Sequence, residues 1–185
     1  MNRFVKIFGV NSSTRILDVG ITPAIWSYLA FSPQVIFSNL TVGVAEPERT
    51  VLADGRALPF RDGAFDIAFS NSVIEHVGDF EAQRRFACEL RRVGKRYYVQ
   101  TPDWWFLIEP HLLVPFIHWF PYWVRLRMFP FTLRAMIDRN ARGDRESYAR
   151  IALLSARQMH MLFPDGEIWR DRLMGLGKSL IAVRL

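Results

Sequence analysis

The sequence predicts an α/β fold built around a mostly parallel sheet. Three observations lead there. Short apolar runs alternate with helical stretches along the chain. Polar residues, Gly or Pro stand where those runs stop. Half of the 185 residues are hydrophobic, enough to bury a core, and the length fits one domain spanning 1–185.

The elements follow in order. Residues 15–20 form an apolar run ending in Asp18 and Gly20, a buried strand turning into a loop. Residues 23–30 supply one or two helical turns, with Pro23 near the first position. Residues 35–40, 50–54 and 65–71 are three further β-rich runs. A helix comes next. Asp79 is its N-cap, Glu81 sits in the first turn, Phe86, Leu90 and Val93 share one face, and Arg91 and Arg92 precede the stop at Gly94. Residues 96–101 make a fifth strand, ended by Pro102. An aromatic insertion, rich in proline, occupies about 103–142. Residues 144–154 read as a helix, and Ser155 with Gln158 is a capping-box signature opening another that Pro164 closes. Strands at 167–172 and 179–185 complete the chain.

Composition narrows the function classes. Lys plus Arg is 24 against 18 for Asp plus Glu, a net charge of +6. Only Lys6, Lys95 and Lys178 are lysines, so the positive charge is mostly arginine. Such a surface attracts anions, but the arginines are not clustered, which argues against a nucleic-acid partner. The single cysteine, Cys88, excludes an internal disulfide framework and a Cys-ligated zinc site, and it fits a reducing, cytoplasmic setting. Within its helix it reads as a small packed residue. The N-terminus lacks the long apolar core of a signal peptide. Residues 112–124 are very apolar but too short to span a bilayer, and Pro115 and Pro121 interrupt them. Peripheral contact with a membrane surface stays open.

A parallel sheet binds ligands at the carboxyl ends of its strands. Asp18, Gly20, Asn39, Asp54, Gly55, Asn71 and Ser72 all stand at such ends. Three blocks there resemble the class I S-adenosylmethionine-dependent methyltransferases, especially the type 11 branch. The first is Ile16-Leu17-Asp18-Val19-Gly20. The second begins at Asp54 and follows the pattern Asp-x-x-x-Leu-Pro-Phe-x-Asp-x-x-Phe-Asp, then a strand, then Glu75-His76. The third is Glu89-Leu90-Arg91-Arg92-Val93-Gly94.

The resemblance implies a Rossmann-like sandwich, shortened, with helices on both faces of the sheet, and S-adenosylmethionine as cofactor. It implies that Asp18 orders the first loop and holds the amino-acid end of that cofactor, with Gly20 and Thr22 in the loop. Asn39 takes the place of the acid that usually bonds the ribose, without its charge assistance. Asp54 matches the carboxylate that accepts from the adenine amino group. Gly55, Ala57 and Leu58 border the adenine ring, and Asn71 and Ser72 face the methionine end. The chain departs from the family in its first loop. Of the usual three glycines only Gly20 is present, Thr22 and Ala24 carry side chains, and Pro23 lacks an N–H. Trp26 is expected to pack under this loop. The 41–48 connection is too short for the usual helix.

The implied reaction is methyl transfer to a small, hydrophobic acceptor. His76, Glu109 and His111 are the candidate acid/base residues, while His118 and His160 read as structural. No spacing among the histidines suggests a metal site. Two other readings stay open: a non-catalytic scaffold with a degenerate cofactor loop, and a membrane-surface protein using arginines and aromatics. A dinucleotide-binding domain fails on motif, because no Gly-x-Gly-x-x-Gly follows the first strand. The acceptor itself and the oligomeric state are not legible.

Overall fold

The computed structural model describes residues 1–20, 23–40, 47–106, 108–109, 114–137, 145–173 and 175–185. Helix α1 (Asn2–Phe8) opens the chain and has no counterpart among the predicted elements. Its buried residues, Phe4 and Phe8, lie one turn apart and share a face. Next come β1 (Arg15–Val19), α2 (Pro23–Trp26), β2 (Gln34–Asn39), β3 (Thr50–Leu52) and β4 (Phe65–Asn71). Helix α3 (Phe80–Val93) runs directly into β5 (Gly94–Pro102). The insertion contributes a short ladder of β6 (Ile108–Glu109) with β7 (Val114–Pro115), then α4 (Tyr122–Met128) and α5 (Leu133–Ile137). Helices α6 (Arg145–Ala149) and α7 (Ala156–Leu162) follow, and β8 (Glu167–Leu173) and β9 (Leu176–Arg184) finish the chain.

Seven strands form the main sheet in the order β3-β2-β1-β4-β5-β9-β8. The first five are parallel, and β9 and β8 are antiparallel. The strands alternate in and out with period two. Leu17, Val19, Ala68, Tyr97 and Val99 face the layer of α3 and α7. Ile16, Phe37, Ile67 and Phe69 face α1 and α2. The predicted helices on both faces are therefore present. Each fully buried Leu, Ile or Phe contributes about 1.5–3 kcal/mol, so the two apolar layers hold the sheet between them.

The cap signals act as read. Asp79 accepts from the Ala82 N–H at 2.8 Å, and Ser155 and Gln158 form a reciprocal capping box. Several boundaries differ from expectation. Helix α2 stops at Trp26, with Leu29 N–H closing a turn on the Trp26 carbonyl at 3.2 Å. Helix α6 ends at Ala149, and Leu154 beyond it pairs with Asp103 as an isolated bridge. Strand β9 starts earlier than predicted, because it pairs with β8 as a hairpin from Leu176 onward. Cys88 is exposed on the outer face of α3 rather than packed, since Ala87 and Leu90 take the inward positions.

Candidate functional site

A cleft of about 360 Å³ opens at the carboxyl ends of β1 to β4. Gly20 borders it from β1, Ser38 and Asn39 from β2, and Asp54 and Gly55 from the turn after β3. Ser72, Val73 and His76 close it from the segment after β4, and Phe86 of α3 lines its base. Two backbone bonds fix the strand ends. Gly20 N–H donates to the Ser38 carbonyl and Ala53 N–H to the Asn39 carbonyl, both at 2.9 Å.

Glycine is required at two of these positions. Gly20 has φ 109°, and a Cβ there would collide with the Val73 side chain. A Cβ on Gly55 would stand 2.5 Å from the Phe86 ring. The surviving loop glycine thus answers a close approach within this chain.

Asp54 reaches the cleft, but its carboxylate is engaged by Arg56. The Arg56 Nε–H donates to Oδ1 at 2.9 Å and Nη2–H to Oδ2 at 2.6 Å, and the Arg56 backbone N–H donates to Oδ1 at 2.9 Å. The Arg56 side-chain hydrogen bonds hold this carboxyl below its ordinary value, against some desolvation. Arg56 also reaches the Val77 carbonyl at 3.4 Å, so it crosses from β3 to the segment after β4.

The Glu75-His76 pair divides its work. Glu75 is fully buried and accepts from the Thr101 hydroxyl at 2.9 Å, while its carbonyl accepts from the Ala152 N–H at 2.9 Å. That clamps the 3-10 turn Ile74–His76 onto β5 and presents His76 at the cleft. Asp18 is placed differently from the expectation. It is fully buried on the α2 side of the sheet, does not line the cleft, and accepts from the Trp26 indole N–H at 2.7 Å. Trp26 is itself buried beneath the end of β1.

Ala57 and Leu58 also do not line the cleft. Leu58 is buried in the core, its N–H donating to Glu89 Oε2 at 2.6 Å and its carbonyl accepting from Arg92 Nη2–H at 3.0 Å. The Leu-Pro-Phe motif therefore packs this loop against α3. Thr22 and His111 lie outside the described residues, and Glu109 is placed only by its backbone in β6.

Asn71 and Ser72 separate at the end of β4. Ser72 adopts φ 56°, an uncommon left-handed value for a residue other than glycine, and faces the cleft. Asn71 instead lines a second cavity of about 190 Å³ beneath α1. Phe4, Phe8, Ile25, Phe69 and Tyr98 make this cavity apolar, with Gln100 and Arg3 as its other polar members. Tyr98 stacks on Phe69 at 5.3 Å and donates its hydroxyl to Gln100 Oε1 at 3.0 Å. Burial first, and the charge of Asp171 second, push the Tyr98 hydroxyl up to about 12. Asn71 Oδ1 is buried with no hydrogen-bond partner among the described residues.

Sequence reasoning missed this cavity because α1 was unread, and it missed Arg56, Val73 and Phe86 in the cleft. Arg56 had a signal, an arginine two residues after an acid in a turn. Val73 and Phe86 had none beyond their apolarity.

A family model for a methyltransferase domain matches residues 29–97. The sheet order and the cleft at its carboxyl ends agree with that match. The fold is that of the class I methyltransferases. An Aquifex aeolicus S-adenosylmethionine-dependent methyltransferase aligns at TM-score 0.55 and 14% identity, covering 98% of this chain and 87% of that one. A Streptomyces coelicolor A3(2) geranyl diphosphate C-methyltransferase, solved with Mg2+, geranyl diphosphate and S-adenosylhomocysteine, aligns at TM-score 0.57 and 13% identity, covering 98% and 74%. A Rhodobacter sphaeroides protein carrying the name of a zinc-dependent alcohol dehydrogenase aligns at TM-score 0.67 and 14% identity, covering 99% and 88%. No curated protein matches the chain. At these identities the neighbours show the fold. The Streptomyces coelicolor neighbour holds S-adenosylhomocysteine in its own structure.

Proposed function

We propose that the protein transfers a methyl group from S-adenosylmethionine to a small hydrophobic acceptor. The observation that carries this reading is that Asn71 and Ser72, consecutive at the end of β4, line two different cavities. One is polar-rimmed and suits the cofactor; the other is apolar and suits an acceptor.

The donor set of the cleft fits the cofactor. The Asn39 amide offers hydrogen bonds to ribose hydroxyls, and Gly55 with the Phe86 ring gives a flat apolar wall for a purine. Bound S-adenosylmethionine supplies an electrophilic methyl group, so the chain itself mainly aligns the acceptor and excludes water. In this reading the stacked Phe69 and Tyr98 rings form one apolar wall for a ring-shaped acceptor. A cavity of about 150 Å³ accommodates benzene, so the one beneath α1 suits a single substituted ring rather than a long chain. Asn71 Oδ1 accepts from and so orients a hydroxyl or amine of that acceptor.

The test is calorimetric titration with S-adenosylhomocysteine, repeated on Asp54→Ala. Micromolar binding weakened about tenfold or more in the variant is the expected result. No binding at millimolar ligand sinks the reading. A second reading, a non-catalytic methyltransferase-like scaffold or interaction protein with a degenerate cofactor loop, draws on the Arg56 guanidinium that already engages Asp54. It expects Arg56→Ala to tighten binding by releasing that carboxylate, and unchanged or weaker binding counts against it.

A further inference from the structure

We propose that the aromatic insertion docks the protein on an anionic lipid surface. The surface between residues 105 and 137 is unusual for a globular protein, whose exposed apolar residues are normally scattered singly. Trp105 is 65% exposed, Trp123 68% and Phe131 82%. Trp119 links the first part of the patch, its ring 6.2 Å from Trp105 and 5.1 Å from Phe116. Leu133, Met136 and Ile137 of α5 extend the exposed apolar set.

The patch is backed by fixed contacts on its inner side. Arg150 lies over the Tyr122 ring at 5.5 Å, and Arg125 donates to the Ile151 carbonyl at 2.8 Å. Those bonds set the inner face of α4. Trp123 and Arg127, one turn apart, share the opposite, exposed side.

Charge selects the occupant. Arg127 is exposed beside Trp123 on α4, and the chain carries a net charge of +6. Tryptophan beside arginine on short, exposed helices is the chemistry of the bilayer interface, where the ring sits at headgroup depth and the guanidinium meets phosphate. A second copy fits less well, because a two-fold contact centred on the exposed side of α4 would set Arg127 of one copy near Arg127 of the other. Among the described residues no helix is long and apolar enough to cross a bilayer.

The test is co-sedimentation of the full chain with phosphatidylcholine vesicles, with and without phosphatidylglycerol, at low and high salt. Binding to the anionic vesicles at low salt, lost at high salt and absent from neutral vesicles, is the expected result. Trp123→Ser and Phe131→Ser should each weaken it about tenfold, and Arg127→Glu about fivefold or more. Tyr28→Ser, exposed but outside the patch, should leave it unchanged. No sedimentation at low salt overturns the proposal. So does a dimer in light scattering that Trp123→Ser converts to monomer, which would assign the patch to self-association. Neither readout depends on methyl transfer.

Discussion

The Trp26 indole N–H donates to Asp18 Oδ2 at 2.7 Å, and both side chains are buried. An acid at the end of the first strand thus bonds to the helix that follows it, across a loop with a single glycine. Trp26→Phe keeps most of the ring packing against Phe4 and Phe69 but removes the donor. Losing a hydrogen bond to a charged group costs about 1.5–3 kcal/mol. Urea denaturation should show a lower midpoint with an unchanged slope. A midpoint equal to wild type would mean that Asp18 is held by other contacts.

Gly20 and Val73 test the cleft from the backbone. Gly20→Ala meets both a positive φ and the Val73 side chain. We expect a loss of about 2–4 kcal/mol. Placing the same change in a Val73→Ala background should recover the steric share, with a coupling of about 1–3 kcal/mol. The φ share should remain. Strict additivity in the double variant would show that the two residues do not touch.

How much of this was legible in the sequence depended on how local each signal is. Asp79 and Ser155 announced their helices because a cap is decided within four residues. The five parallel strands were legible because apolar runs end abruptly in Asp, Asn, Gly or Pro. Helix α1 was not, because only Phe4 and Phe8 of its seven residues are buried, and their partners Phe69 and Tyr98 lie far along the chain. Leu58 misled for the opposite reason. Its motif is local, but its role is set by Glu89 and Arg92 on α3, which draw it into the core and away from the cleft. The resemblance makes Asp54 an adenine acceptor, and its nearness to Arg56 is visible in the sequence, but the bidentate geometry that couples them is not.

The Glu89–Arg92 pair gives the fold an acid-sensitive joint. The Arg92 hydrogen bonds first, and the Leu58 N–H as well, hold the Glu89 carboxyl below its ordinary value of 4.5. A carboxyl depressed in the folded state adds stability that is full above its unfolded value and is lost as pH falls through its folded value. Stability should therefore be flat in this term near neutrality and decline below about pH 4.5. Glu89→Gln removes the titration but keeps an acceptor for Leu58. It should cost about 1 kcal/mol at neutral pH, since the pair is partly exposed, and should flatten the acid limb. Chemical denaturation across the acid range reads both effects. An acid limb as steep as wild type would place the sensitivity elsewhere, with Asp165 between Arg91 and Arg184 as the next group to test.

Asn71 separates the two cavities experimentally. Its buried Oδ1 has no hydrogen-bond partner among the described residues and stands among Phe4, Phe69 and Tyr98. Removing such an atom in favour of a similar-sized apolar side chain is neutral or favourable. Asn71→Leu should leave the denaturation midpoint unchanged or raise stability by about 1 kcal/mol. Because Asn71 does not line the cleft proposed for the cofactor, affinity for S-adenosylhomocysteine should stay within about twofold. Ser72→Leu is the contrasting change. It fills the cleft and forces a bulky side chain into a left-handed backbone, so it should weaken the same ligand and destabilise the fold. If Asn71→Leu instead lost cofactor binding while Ser72→Leu kept it, the assignment of the two cavities would have to be exchanged.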